Sequence, residues 1–155
     1  EAASVHHRYI RERINEYDHN VKIRNLAGSV LPAQAYYKAQ KLRQVVRRQV
    51  LEALEKVDVL LLPTSPILAP KIRTHGGIES KEQLMTELMG RASWTTPFNL
   101  AGVPAISVPC GFTTTGLPLP IGLQIAGRPF EESTVMKAAH AYQQSTDWHN
   151  RRPPV

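Results

Sequence analysis

Residues 96–148 read TPFNLAGVPAISVPCGFTTTGLPLPIGLQIAGRPFEESTVMKAAHAYQQSTDW. Glycines and prolines fall at the joints between short apolar runs, of which the clearest are residues 105–108 and 121–126. These runs lack a polar–apolar alternation, so they suit strands covered on both faces. Pro104 and Pro109 bracket the first run, where a missing N–H costs no ladder bond. A helical pattern follows from Glu131 to about Thr146, carrying Val135, Met136, Ala139, Tyr142 and Gln143. Strands closing on a helix, with Gly- and Pro-rich joints, predict an α/β core in which strand ends and loops build a pocket.

Working outward, residues 1–14 read as a helix with Val5, Tyr9 and Ile10 on one side. A short helix is expected over 20–27, stopped by Gly28 just past its end. The longest helix is expected over 32–56, with Pro32 in its first turn. Ala35, Ala39, Leu42, Val46, Val50, Ala53 and Val57 recur on its burial stripe. Residues 59–62 then form a buried strand ended by Pro63, and residues 63–80 a long loop. Ser80 with Gln83 resembles a capping box, opening a helix to about Met89 that Gly90 ends. Trp148 and His149 suit packing of the last helix against the core. The expected fold is a mixed β-sheet core covered by helices. It forms one continuous unit over 1–155, helical over 1–57 and strand-rich with a final helix over 58–155. Three strands make a thin sheet, so its edges invite further strands or a second copy in a homo-oligomer.

A chain of 155 residues is long enough to bury a core, and its longest apolar run is too short to span a bilayer. The single cysteine, Cys110, has no internal disulfide partner, which fits a reducing compartment such as the cytoplasm. The net charge of +6 is uneven. Residues 1–57 hold 11 Lys and Arg against 6 Asp and Glu, and the rest 8 against 7. A basic helix is compatible with tRNA, but no aromatic interleaving accompanies the charge, so a solvated helix face is the favoured reading.

Several residues offer chemistry on their own. Cys110 with His140 or His149 would make a thiol nucleophile and base. The plainer reading is a small residue at a strand end. No Cys-x-x-Cys or His-x-x-x-His spacing appears, so no metal site is expected. Thr64, Ser65 and Thr95 are small hydroxyls at expected strand ends, suited either to pocket lining or to turn bonding.

The run T-P-x-N-L-x-G-x-P-A-x-S-x-P-C-G-F, followed by G-L-P-x-x-x-G-L-Q-I-x-G-R-P-F-x-E, resembles the carboxy-terminal third of the amidase signature family. The Asp58–Pro66 segment DVLLLPTSP, the closing TDWH at 146–149 and the opening EAASVHHR at 1–8 fit the same pattern in the same order. General amidases and the A subunit of tRNA-dependent amidotransferases belong to that family. The resemblance implies amide hydrolysis by a serine nucleophile, a second serine and a lysine, without metal or organic cofactor. Those three residues lie in a preceding part of such enzymes, the serines in a Gly/Ser-rich loop. No such loop occurs here, so no catalytic residue is expected on this chain, and its partners would be the missing amino-terminal part and a small amide substrate.

The resemblance also implies a substrate wall. Related enzymes line the channel with the segment before the Asn of this motif, which carries over to Ala92, Trp94, Thr95 and Phe98. Arg8 aligns with an arginine that the amidotransferase members use for the substrate carboxylate. Those members place an acid at the position of Ala92 to hold the ammonium of glutamine. Alanine there, with Trp94 close by, points instead to an apolar or aromatic amide.

Overall fold

The structure is a computed structural model that describes residues 1–71, 77, 80–83, 85 and 94–152. The chain divides into two compact units, and the division falls inside the longest helix, between Lys41 and Leu42.

The first unit is helical. Helices α1 (Ala2–Val5) and α2 (His7–Glu12) meet at His6, so the single helix expected over 1–14 is broken there. His6 Nδ1 lies 2.9 Å from the Tyr17 hydroxyl, which ties this break to the segment after α2. Helix α3 (His19–Ser29) starts on Asp18, whose Oδ1 accepts from the Asn20 N–H at 2.9 Å. It runs through Gly28, the residue expected to end it. Gly28 instead serves close packing: a Cβ there would lie 3.2 Å from the Ala3 Cβ of α1. The last turn of α3 is satisfied by Ser29 Oγ donating to the Asn25 carbonyl at 2.9 Å. Helix α4 (Ala33–Leu54) follows Pro32, whose carbonyl accepts from Ala35 N–H at 3.0 Å.

The second unit begins with the latter half of α4. Its covered stripe is Val46, Arg47, Val50, Leu51 and Leu54, and only Leu54 is fully buried. Ala35, Ala39, Leu42, Ala53 and Val57, expected to be covered, are exposed. The stripe is therefore rotated from the expected one, towards the side that carries Arg47, Leu51 and Leu54. Ser80 does accept from Gln83 N–H at 3.1 Å. The helix expected beyond it to Met89 lies mostly outside the described residues.

Among the described residues the sheet has three strands, β1 (Val59–Pro63), β2 (Ala105–Phe112) and β3 (Pro120–Gly127), in the order β1-β3-β2. Both pairings are antiparallel. β2 passes through Pro109, where a stop was expected. It is an edge strand among the described residues, and its register slips between Pro109 and Gly111, two places where proline is tolerated.

Paired residues of an antiparallel ladder share a face. One face carries Ile106, Val108, Leu123 and Ile125, and receives Val135 and Ala139 of helix α6 (Glu132–Gln144). Val108, Ile125, Val135 and Ala139 form the buried cluster. Gly127 lets α6 approach, since a Cβ there would stand 2.5 Å from a Val135 methyl. The other face carries Leu62, Ser107, Gly122, Gln124 and Ala126. Trp148, in the closing turn Trp148–Asn150, lies 6.2 Å from the Phe112 ring of β2, so this end of the chain packs on the sheet as expected.

Arg128 locks α4 to the sheet. Its guanidinium donates to the Leu54 carbonyl at 3.0 Å and the Val57 carbonyl at 2.9 Å, and it lies 3.5 Å from Asp58. The Leu54 carbonyl is at the helix end, where no further turn supplies an N–H donor, and the Val57 carbonyl is in the connection to β1. Arg128→Ala is expected to lower the thermal midpoint by the equivalent of about 1–3 kcal/mol, the cost of two orphaned acceptors. Arg128→Lys should recover only part, because an ammonium lacks the planar fork that spans both oxygens. Calorimetry on the two variants checks this, and an unchanged midpoint for alanine would mean that water serves those carbonyls equally well.

Candidate substrate-pocket wall

The face opposite α6 holds the polar atoms of the sheet. Just past β1, Thr64 extends the ladder by donating its N–H to the Gly122 carbonyl at 2.8 Å. Its Oγ1 then sits 2.6 Å from Ser107 Oγ of β2, diagonally across the central strand, since Gly122 pairs with Pro109 and Gln124 with Ser107. That meeting needs glycine between them. A Cβ on Gly122 would lie 2.7 Å from Thr64 Oγ1 and 2.9 Å from Ser107 Oγ. The pair sits in a cleft of about 620 Å³ whose walls include Ile67, Leu68, Pro109 and Ile121. Ser65 caps its own turn, its Oγ donating to the Ile67 carbonyl at 2.8 Å. The hydrogen bond recorded for the Thr64 and Ser107 side chains joins the two hydroxyls to each other, and either can be the donor.

One step along the same face, buried Gln124 donates its Nε2 to the Trp94 carbonyl at 3.2 Å. Trp94 and Thr95 are half-buried in the turn that leads into helix α5 (Thr96–Ala101). This helix is not among the expected elements, and Thr95 stands at its start rather than at a strand end. Its signals are present in the sequence: Pro97 in the first turn and Gly102 just past the end. Gly102 takes the left-handed conformation at φ 63°, and its N–H reaches the Phe98 carbonyl at 2.9 Å. Phe98 is buried. Two arginines of α4 hold the far end, Arg43 donating to the Leu100 carbonyl at 2.8 Å and Arg47 to that of Ala101.

Of the residues expected to line a substrate site, Trp94, Thr95 and Phe98 thus lie together at the start of α5. Ala92 lies outside the described residues. Arg8 is on α2 in the first unit, exposed and paired with Glu12 at 3.1 Å. Other helical charges are also used locally, with Arg13 paired to Glu16 and Arg48 to Glu52. Ser107 and Gln124 are not singled out by the sequence pattern, although each is a lone polar residue in an otherwise apolar strand. Cys110 is half-buried, its Sγ 3.5 Å from the Ile121 carbonyl; His140 is exposed on α6. Among the described residues no three His, Cys, Asp or Glu gather as metal ligands, and no helix is long and apolar enough to cross a membrane.

The family model described as amidase matches residues 1–136. The chain belongs to the amidase signature family. It is 42% identical over 152 residues to the A subunit of the glutamyl-tRNA(Gln) amidotransferase of a Synechococcus species, covering 95% of this chain and 28% of that protein. A crystal structure of an amidase superposes with TM-score 0.73 at 28% identity, over 94% of this chain and 32% of that one. The A subunit of the Thermotoga maritima glutamyl-tRNA(Gln) amidotransferase does so with TM-score 0.59 at 33% identity, over 88% and 30% respectively. The chain therefore spans about a third of the length of these amidase and amidotransferase chains.

The close approach at Gly122 is testable by stability. Gly122→Ala is expected to cost about 1–3 kcal/mol, because its Cβ must force the Thr64 and Ser107 hydroxyls apart. In urea the midpoint should fall while the slope stays the same. An unchanged midpoint would show that the hydroxyls move aside freely.

Proposed function

We propose that this chain is the carboxy-terminal part of an amidase that hydrolyses a carboxylic amide through a serine ester. It supplies sheet and substrate-pocket wall, while the nucleophilic serine, the second serine and the base lysine lie in the preceding part of the same protein. The serine oxygen attacks the amide carbon, the amine leaves with a proton, and water then cleaves the ester to release the acid. One observation carries this reading. The match to the family covers the chain from residue 1 to 136, yet the sequence holds no Gly/Ser-rich loop and the hydroxyls at its cleft pair with each other.

The substrate is read from the wall. Trp94 brings a large apolar surface and Ala92 brings no charge, which supports an apolar or aromatic amide. A second reading, glutamine hydrolysis within an amidotransferase, is favoured by the 42% identity to the A chain of such an enzyme. The two differ in what the full-length enzyme prefers. On the first reading an aromatic amide outruns glutamine in kcat/KM; the reverse order would support the second.

Incubated with aryl amides, the 155-residue chain itself is expected to show no turnover. Activity that survives Cys110→Ala would overturn the assignment of the nucleophile to another segment. In the full-length enzyme, Trp94→Ala should raise KM for bulky amides by the equivalent of about 1–3 kcal/mol of lost apolar contact. Identical kinetics on bulky and small amides in both forms would remove Trp94 from the wall.

A further inference from the structure

Only two polar side chains among the described residues are buried in the core, Asn25 and Gln124, and Gln124 is 4% exposed. Gln124 lies on the central strand, in the middle of an apolar run, and its side chain points away from α6. Burying an amide there is costly unless its N–H groups find an acceptor. The acceptor it finds is the main-chain oxygen of Trp94, thirty residues earlier in the sequence. Its neighbours on that face of β3, Gly122 and Ala126, have at most one side-chain carbon. Neither has a polar side-chain atom with which to grip the turn. The far end of α5 is already held by Arg43, Arg47 and the Gly102 cap. The near end, where Trp94 and Thr95 stand, is fastened to the sheet by Gln124.

We propose that Gln124 is a positioning residue for substrate selection: its amide fixes the Trp94 carbonyl and so sets how far the 94–98 wall stands from the sheet. The proposal rests on the reading that Trp94, Thr95 and Phe98 line the substrate site. Gln124 acts through that wall and touches no reacting atom. Losing the hydrogen bond frees the turn, and Trp94 then samples more than one place. A bulky amide that depends on the indole as a fixed surface loses affinity, while a small amide that never reaches it does not.

In the full-length enzyme, a background in which every tryptophan but Trp94 is replaced by phenylalanine, Trp148→Phe among them, leaves Trp94 as the only indole. In that background Gln124→Met keeps the side-chain length and removes the donor. Acrylamide quenching of Trp94 is expected to rise while unfolding stays cooperative. Gln124→Glu supplies an independent check if the methionine variant folds poorly. Burial raises the pH at which that acid ionises, so the variant is followed upward in pH: once the carboxylate forms it has no donor, and quenching rises there too. As pH falls and the acid protonates, the O–H returns as a donor and quenching falls back towards the parent value at the same pH. Unchanged quenching in both variants overturns the proposal.

The kinetic arm uses the full-length enzyme. Gln124→Met should raise KM for bulky aromatic amides about fivefold, the worth of one neutral hydrogen bond, with kcat for a small amide unchanged. Raised quenching with unchanged KM on amides of both sizes would overturn the reading of 94–98 as the substrate wall, and with it the role in selection. A changed KM with unchanged quenching would overturn the link between Gln124 and Trp94 while leaving the wall in place.

Discussion

Every ladder bond of the sheet runs through β3. It pairs with β1 on one side and β2 on the other, so its residues decide what both faces become. Because side chains alternate, eight residues serve two purposes at once. Leu123 and Ile125 face α6 and anchor the buried cluster; Gly122, Gln124 and Ala126 face the candidate site. A slip of one residue would exchange these sets, putting an amide into the apolar cluster and isoleucine beneath the hydroxyl pair. The two glycines of the strand fall on opposite faces, Gly127 letting α6 in and Gly122 letting Thr64 meet Ser107. Here glycine is required by close approach and not by backbone angle.

Three arginines of the chain serve helix ends. A helix terminates with carbonyls that lack N–H partners, and guanidinium groups are suited to several at once. Arg128 serves the end of α4, while Arg43 and Arg47, on α4 itself, serve the end of α5. These contacts link α4, α5 and the turn after β3 into one chain of support. The side chains involved are part-exposed, so their worth comes from satisfying specific acceptors more than from net charge.

Strand positions are legible in the sequence because the runs are short, apolar and punctuated. Residues 59–62 and 121–126 fall inside β1 and β3, and helix α6 lies inside the expected 131–146. What cannot be read is where punctuation is overruled. Pro109 does not stop β2 because an edge strand with a slipped register can spare an N–H, and edge position is a property of the sheet, not of the strand. Gly28 does not stop α3 because a neighbouring helix needs its missing side chain. Helix α5 is hidden by its length, since six residues carry too little periodicity to show. The burial stripe of α4 shifts because its small residues offer no strong preference for one face.

The candidate wall is legible only in part, and the reason is physical. Trp94, Thr95 and Phe98 come into view through their place before the N-L-x-G motif, but what holds them there is long-range. Gln124 sits in a run that reads as core, and a pattern of apolar residues draws attention away from the one that differs. Yet burial makes that difference informative. An amide or hydroxyl inside a sheet must meet a partner, and a partner far along the chain marks a place where two elements are held in register. Ser107 meets Thr64, and Gln124 meets Trp94, both on the face that α6 leaves open. The polar exceptions of the two strands therefore converge on one surface, and that convergence separates a site-bearing face from a packing face when the strands themselves look alike.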